Sequence, residues 1–181
     1  LEDFTPEEIR YLLDLAIQLK KESREHVRHQ HYIGEDFLLL FEMNSTRTRC
    51  AFETSANDLG MGTTFLSNSH FGNTETIKDS MRVFSEMYSA IGYRGAKHST
   101  LLEMAKDSRI PIINGYTDHQ HPTQMLADAM TLDEVWGREN YKGKTLCFIG
   151  RGGAVNSFSY GVMCAMLGMN FTYITSYMEM D

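Results

Sequence analysis

Residues 37–49 constrain this chain most. An unbroken apolar run, Phe37-Leu38-Leu39-Leu40-Phe41, reads as a strand buried on both faces, the kind found in parallel sheets covered by helices. A helix-forming run, Arg47 to Leu59, follows and stops at Gly60. Between them stands Asn44-Ser45-Thr46-Arg47-Thr48-Arg49. Strand, hydroxyl-rich turn and helix gather unpaired backbone N–H groups, hydroxyls and a guanidinium around one point. That is the chemistry of an anion site at a helix N-terminus. Arg47 can add a bidentate clamp on phosphate oxygens. The same residues also fit a plainer reading, in which Asn44 or Ser45 caps the helix and both arginines are solvated.

The chain of 181 residues is long enough for one full domain and part of another. Its net charge of −7 speaks against non-specific nucleic-acid binding, so an anionic ligand needs a local basic pocket. No apolar run reaches membrane-spanning length and no charged-then-apolar leader is present, so no membrane partner is expected. Three cysteines, Cys50, Cys147 and Cys164, sit in apolar patterns and read as reduced and packed, which implies a cytoplasmic protein. The scattered methionines read as core filling.

Along the chain, Thr5-Pro6-Glu7-Glu8 starts a helix by a capping box and runs to about Glu25 on Ile9, Leu12, Leu13, Ala16 and Ile17. His26, His29 and His31 read as a surface linker rather than a metal site. After the anion turn, Phe52, Ala56 and Leu59 give the helix its apolar stripe, and Arg49 is expected to pair with Glu75 or Asp79. Thr63–Leu66 is a strand and Ser67–Thr74 a polar loop. Ile77, Met81, Phe84 and Tyr88 mark a helix, and Ala90–Tyr93 a strand closed by Arg94-Gly95. An arginine there sits where open α/β sheets bind ligands, or is simply a surface charge. Thr100 to Glu103 reads as a second capping box, and Ile110–Gly115 as a strand. Pro122 suits a first helical position, which puts His121 at the cap and Gln124 at the third residue, both able to face one point beyond the helix. His119 with His121 lacks a third zinc ligand at suitable spacing. Leu126, Ala129, Met130 and Trp136 would bury this helix, and Gly137–Gly143 reads as the domain boundary.

Thr145–Ile149, the turn Gly150-Arg151-Gly152-Gly153, a helix with Val155, Phe158, Val162, Ala165 and Met166, and the strand Phe171–Thr175 form one βαβ unit. The turn does not complete a dinucleotide fingerprint. Val155 takes the third glycine's position, and Ser176-Tyr177 stands where a ribose-binding acid belongs.

Ser45-Thr46-Arg47-Thr48-Arg49, Tyr93-Arg94-Gly95 and His121-Pro122-Thr123-Gln124, in this order, resemble the motifs of the carbamoyltransferase (aspartate/ornithine transcarbamylase) family, in the ornithine carbamoyltransferase form. The resemblance spans residues 1 to about 137. It implies an α/β fold: a parallel sheet with helices on both faces over 1–137 that binds carbamoyl phosphate, then 138–181 as the start of an acceptor-binding domain. It implies transfer of a carbamoyl group from carbamoyl phosphate to an amine, L-ornithine giving L-citrulline and phosphate, without metal or organic cofactor. The alternative is a non-catalytic or altered-acceptor paralogue that binds a phosphate ligand. By the resemblance, Ser45, Thr46, Arg47 and Thr48 hold the phosphate, Arg94 bridges phosphate and carbonyl, and His121 and Gln124 orient the carbamoyl group. The resemblance implies a homotrimer or multiple of trimers, each site completed by a neighbour; His70 stands nearest the place from which ornithine enzymes send a glutamine into that neighbouring site, a departure from the family pattern. Arg151 replaces an acidic residue, and Asn156 is the nearby asparagine for the acceptor. The resemblance further implies a full chain of about twice this length, given two domains of similar size.

Overall fold

The computed structural model describes residues 1–27, 29–151 and 153–176. Gly152 of the glycine turn and Tyr177 lie outside the described residues. Elements run α1 (Pro6–Arg24), β1 (Asp36–Phe41), α2 (Thr46–Asp58), β2 (Gly62–Leu66), α3 (Ile77–Met87), β3 (Ala90–Arg94), α4 (His98–Asp107), β4 (Ile112–Tyr116) and α5 (Pro122–Trp136). A 3-10 turn at Arg138–Asn140 then leads to β5 (Thr145–Ile149), α6 (Val155–Leu167) and β6 (Asn170–Ile174). They group into two compact units, one of Val27–Asp118 and one of Leu1–His26 with His119–Asp181.

The first unit is a four-stranded sheet in the order β2-β1-β3-β4, parallel throughout. Strand β1 explains how it holds together. Successive side chains point to opposite faces, so Leu38 and Leu40 join Ile91, Tyr93, Met81 and Met104 on the α3–α4 side. Phe37, Leu39 and Phe41 join Ala56 and Phe52 on the α2 side. The five apolar residues of β1 are all buried, each large side chain contributing about 1.5–3 kcal/mol. The expected α/β sheet with helices on both faces is thus the observed one.

In the second unit α1, α5 and α6 pack around Ile9, Leu13, Met125, Ala129, Met163, Cys164 and Leu167, and β5 pairs in parallel with β6. Helix α1 begins as its sequence indicates. The Thr5 hydroxyl accepts the Glu8 N–H at 3.2 Å, while the Glu8 carboxylate accepts the Thr5 N–H at 2.7 Å.

Several local expectations are corrected. Arg49 pairs with Glu53 at 3.0 Å, one helical turn on, and lies 3.6 Å over the Phe65 ring. Of its expected partners, Glu75 accepts from Ser80 and Asp79 from Thr76. Helix α4 starts two residues before Thr100, with its first N–H, on His98, capped by the Asp118 carboxylate at 2.7 Å. Trp136 is 42% exposed, and α5 buries Met125, Ala129 and Asp133 instead. Helix α6 buries Met163, Cys164 and Leu167, while Phe158 and Ala165 face solvent. Of the three cysteines only Cys164 is buried; Cys50 and Cys147 are exposed.

Candidate functional site

The helix N-termini of the protein are of two kinds. Helices α1 and α3 are closed by their own N-cap side chains and carry acids in the first turn. Helix α4 is closed by Asp118. Helices α2, α5 and α6 have no side-chain cap hydrogen bond and no acidic residue in the first turn. Their N-terminal dipole ends are therefore not neutralised from within the helix. The singled-out residues of the Ser45–Thr48 turn, the His121–Gln124 turn and the Gly150–Asn156 turn belong to these three ends. The capping role considered for Ser45 does not hold: it occupies the N-cap position without a cap bond from its hydroxyl.

In the Val27–Asp118 unit, Ser45 and Thr48 are half-buried and Thr46 and Arg47 exposed. Arg47 has no ion-pair partner among the described residues. Arg94 ends β3 opposite Phe41 of β1, and its carbonyl accepts the Glu42 N–H at 2.9 Å. Its Nη1 donates to the Gly115 carbonyl at 3.3 Å, and its guanidinium stacks 4.5 Å over the Tyr116 ring. The Nε is buried without a hydrogen-bond partner. Desolvation lowers the Arg94 pKa from its ordinary value, and the group remains a cation at any physiological pH.

Gly115 joins these parts. A Cβ there would come 2.9 Å from Phe52 Cε2, 3.2 Å from the Tyr93 carbonyl and 3.5 Å from Thr48 Cγ2. Only a residue without a side chain lets the end of β4 lie this close to the first turns of α2. Because Arg94 bonds the same Gly115, the fold sets its guanidinium beside the Ser45–Thr48 turn. Gly115 was legible in the sequence only as the end of a strand; its approach to Phe52, Tyr93 and Thr48 joins positions far apart in the chain. His70 lies in the same unit, exposed, with Nδ1 2.6 Å from the Thr74 hydroxyl.

His121, Gln124 and Asn156 belong to the other unit. His121 takes the N-cap of α5 with Pro122 at the first position, as expected. Its N–H donates to Ser159 Oγ at 3.0 Å, and Ser159 donates to the Val155 carbonyl at 2.9 Å. Ser159 lies one helical turn beyond Asn156, so this bond brings the N-terminal ends of α5 and α6 together. Gln124 does not turn back toward His121. Its amide donates to Asp128 at 3.0 Å, and the other Asp128 oxygen accepts from the Tyr160 hydroxyl at 2.7 Å. Arg151 is exposed, and its carbonyl accepts from the Tyr173 hydroxyl at 2.7 Å. Among the described residues no group of His, Cys, Asp and Glu could hold a metal ion, and no helix is long and apolar enough to cross a membrane.

The family profile described as aspartate/ornithine carbamoyltransferase, carbamoyl-P binding domain, matches residues 1–134. The chain belongs to this family. It is 43% identical over 173 residues to an ornithine carbamoyltransferase of Caldanaerobacter subterraneus, covering 94% of this chain and 55% of that protein. It is 44% identical over 173 residues to a catabolic ornithine carbamoyltransferase of Clostridium perfringens, covering 94% and 51%. The crystal structure of ornithine carbamoyltransferase from Burkholderia thailandensis superposes with a TM-score of 0.91 at 29% identity, over 98% of this chain and 61% of that one. The chain spans about half the length of the curated relatives it matches.

Proposed function

We propose that this chain carries the donor site of an enzyme that transfers the carbamoyl group of carbamoyl phosphate to the amine of L-ornithine, giving L-citrulline and phosphate. The observation that supports it most is the arrangement around Gly115. Arg94, with a buried unpaired Nε–H, is held beside a helix N-terminus that has three hydroxyls, no acid and a free Arg47. Such a place suits a phosphate dianion. The neutral amine attacks the carbonyl carbon, a C–N bond forms, the C–O bond to phosphate breaks with its electron pair leaving on phosphate, and the amine's surplus proton passes to that phosphate. Negative charge grows on the carbonyl oxygen and then on the leaving group. Arg94, by the family resemblance, meets both, and preorganised donors of this kind supply most of the rate in such reactions. His121 and Gln124 are the residues proposed to orient the carbamoyl group, and Asn156 to contact the acceptor.

In this reading residues 1–137 form the carbamoyl-phosphate domain and 138–181 begin the acceptor domain of a cytoplasmic homotrimer or multiple of trimers, with the His70 loop at a subunit contact. Calorimetric titration of carbamoyl phosphate tests the donor site. The wild type should bind, and Arg47→Lys should bind about tenfold more weakly, because a point charge cannot reproduce a guanidinium fork. Equal affinity in the variant removes Arg47 from the site. Turnover assays offering ornithine, putrescine, aspartate and acetylated ornithine to the full natural protein then test the acceptor. Arg151, exposed where the family carries an acid, favours the second reading, an altered acceptor. That reading stands if ornithine is not the preferred substrate. Donor binding without any carbamoylated product would indicate a non-catalytic paralogue.

A further inference from the structure

Tyr93 is the residue before Arg94, and it is completely buried. A phenol hydroxyl at that depth needs partners. It donates to the Glu42 carboxylate, and the Thr100 side chain in α4 also hydrogen-bonds it. Burial first, then the Glu42 carboxylate, holds this phenol well above its ordinary range, so it remains a neutral donor. Glu42 follows β1 directly and precedes the Ser45 turn by three residues. It is exposed as a residue, so packing of its own side chain does not account for the contact. Its N–H also holds the Arg94 carbonyl. Gly95, on the other side of Arg94, completes the arrangement: a methyl group there would overlap both the Tyr93 hydroxyl and the Glu42 carboxylate.

We propose that Tyr93 and Glu42 are positioning residues that lock the segment between β1 and α2 onto the end of β3, and so fix Arg94 relative to the Ser45–Thr48 turn. This rests on the donor-site reading above. Both parts of that site emerge from neighbouring strand ends, and without a tie between them each could shift with its own loop. Anion recognition by two separate elements depends on holding them within a fraction of an ångström. A phenylalanine at position 93 would fill the core equally well but would leave only the Glu42 N–H, and not its carboxylate, tied to the end of β3.

The test is calorimetric titration of carbamoyl phosphate and inorganic phosphate, with thermal unfolding of each variant. Y93F and E42A are each expected to weaken phosphate binding about tenfold. The double variant should be no weaker than either single one, because one bond is lost in all three. E42Q keeps an oxygen that accepts from the phenol and should bind within ~3-fold of wild type. A general loss of stability would not follow this order. Should Y93F fail to fold, the comparison of E42A with E42Q, at an exposed position, carries the same question. Wild-type affinity in Y93F, additive losses in the double variant, or E42Q as weak as E42A would each overturn the positioning role. Wild-type binding that R94A abolishes keeps the donor-site reading intact in those cases. Equal phosphate affinity in wild type and R94A, or none in the wild type, would bring down both.

Discussion

Arg138 donates through Nε at 3.0 Å and Nη2 at 2.7 Å to a single oxygen, Oδ2 of Asp133, whose side chain is only 3% exposed. A further bond joins Arg138 to Asp14 of α1. The stretch 137–143, polar in sequence, is therefore anchored, and Tyr141 within it is buried in the core of its unit. Removing the cation leaves a buried carboxylate without its ion-pair partner, with only the Tyr141 phenol still bonded to it. Arg138→Ala is expected to lower stability by about 3–5 kcal/mol in urea unfolding. A loss below ~1 kcal/mol, the range of a surface pair, would show that Asp133 is solvated without it.

The three thiols differ in surroundings. Cys50 and Cys147 are exposed, and burial pushes the Cys164 thiol up to about 11. The thiolate is the reactive form. Iodoacetamide at neutral pH should label Cys50 and Cys147 in the native protein and Cys164 only in denaturant, as read by peptide mass mapping. Early labelling of Cys164 would contradict its packing in α6.

Stability should fall at high pH. Burial, followed by Asp128, raises the Tyr160 phenol to about 12, and burial, followed by Asp133, raises Tyr141 to about 12. With Cys164 at about 11, all three lie above their ordinary values of 10.0 and 9.0. The unfolded chain therefore releases these protons first as pH rises, so their contribution is whole below 9.0 and is lost as pH climbs to about 12. Denaturant midpoints across that window should decline, and Tyr160→Phe should reduce the slope. A flat profile would place these groups in contact with solvent.

Gly115 links the sheet end to α2. Gly115→Ala must displace Phe52 or the Tyr93 carbonyl, at about 1–3 kcal/mol in stability. Because Arg94 bonds the Gly115 carbonyl, phosphate affinity should drop as well. Unchanged affinity in calorimetry would separate Arg94 from the Ser45–Thr48 turn.

The proposed subunit contact at Ser67–Thr74 is checked by sedimentation over a wide concentration range. A trimer that His70→Glu weakens is the expected outcome, and a monomer throughout would contradict it.

The sequence by itself was sufficient for the features whose cause lies within a few residues. The short apolar run Phe37–Phe41 read as a strand buried on two faces, as it is. Thr5 and Glu8 carry both halves of a capping box, and Pro122 places His121 and Gln124 on the first turn of α5. Arg94 at the end of β3 and the Ser45–Thr48 turn were legible for the same reason: a strand end and a helix start are local events. Tertiary structure decided whatever needed a partner far along the chain. Helix α4 is capped by Asp118, 20 residues from the His98 N–H it holds, so local capping rules placed its start too late. Helix α6 has apolar residues on more than one side, and its period cannot choose between Phe158 or Ala165 and the Met163, Cys164 and Leu167 that are buried. That choice falls to the α1 and α5 residues packed against it. Arg49 found Glu53 and the Phe65 ring rather than a distant acid, since a nearby carboxylate and an aromatic face are reached at less cost in side-chain entropy. The close approach at Gly115, which sets Arg94 beside the α2 turn, is a property of three strand and helix ends at once, and no window of sequence contains them together.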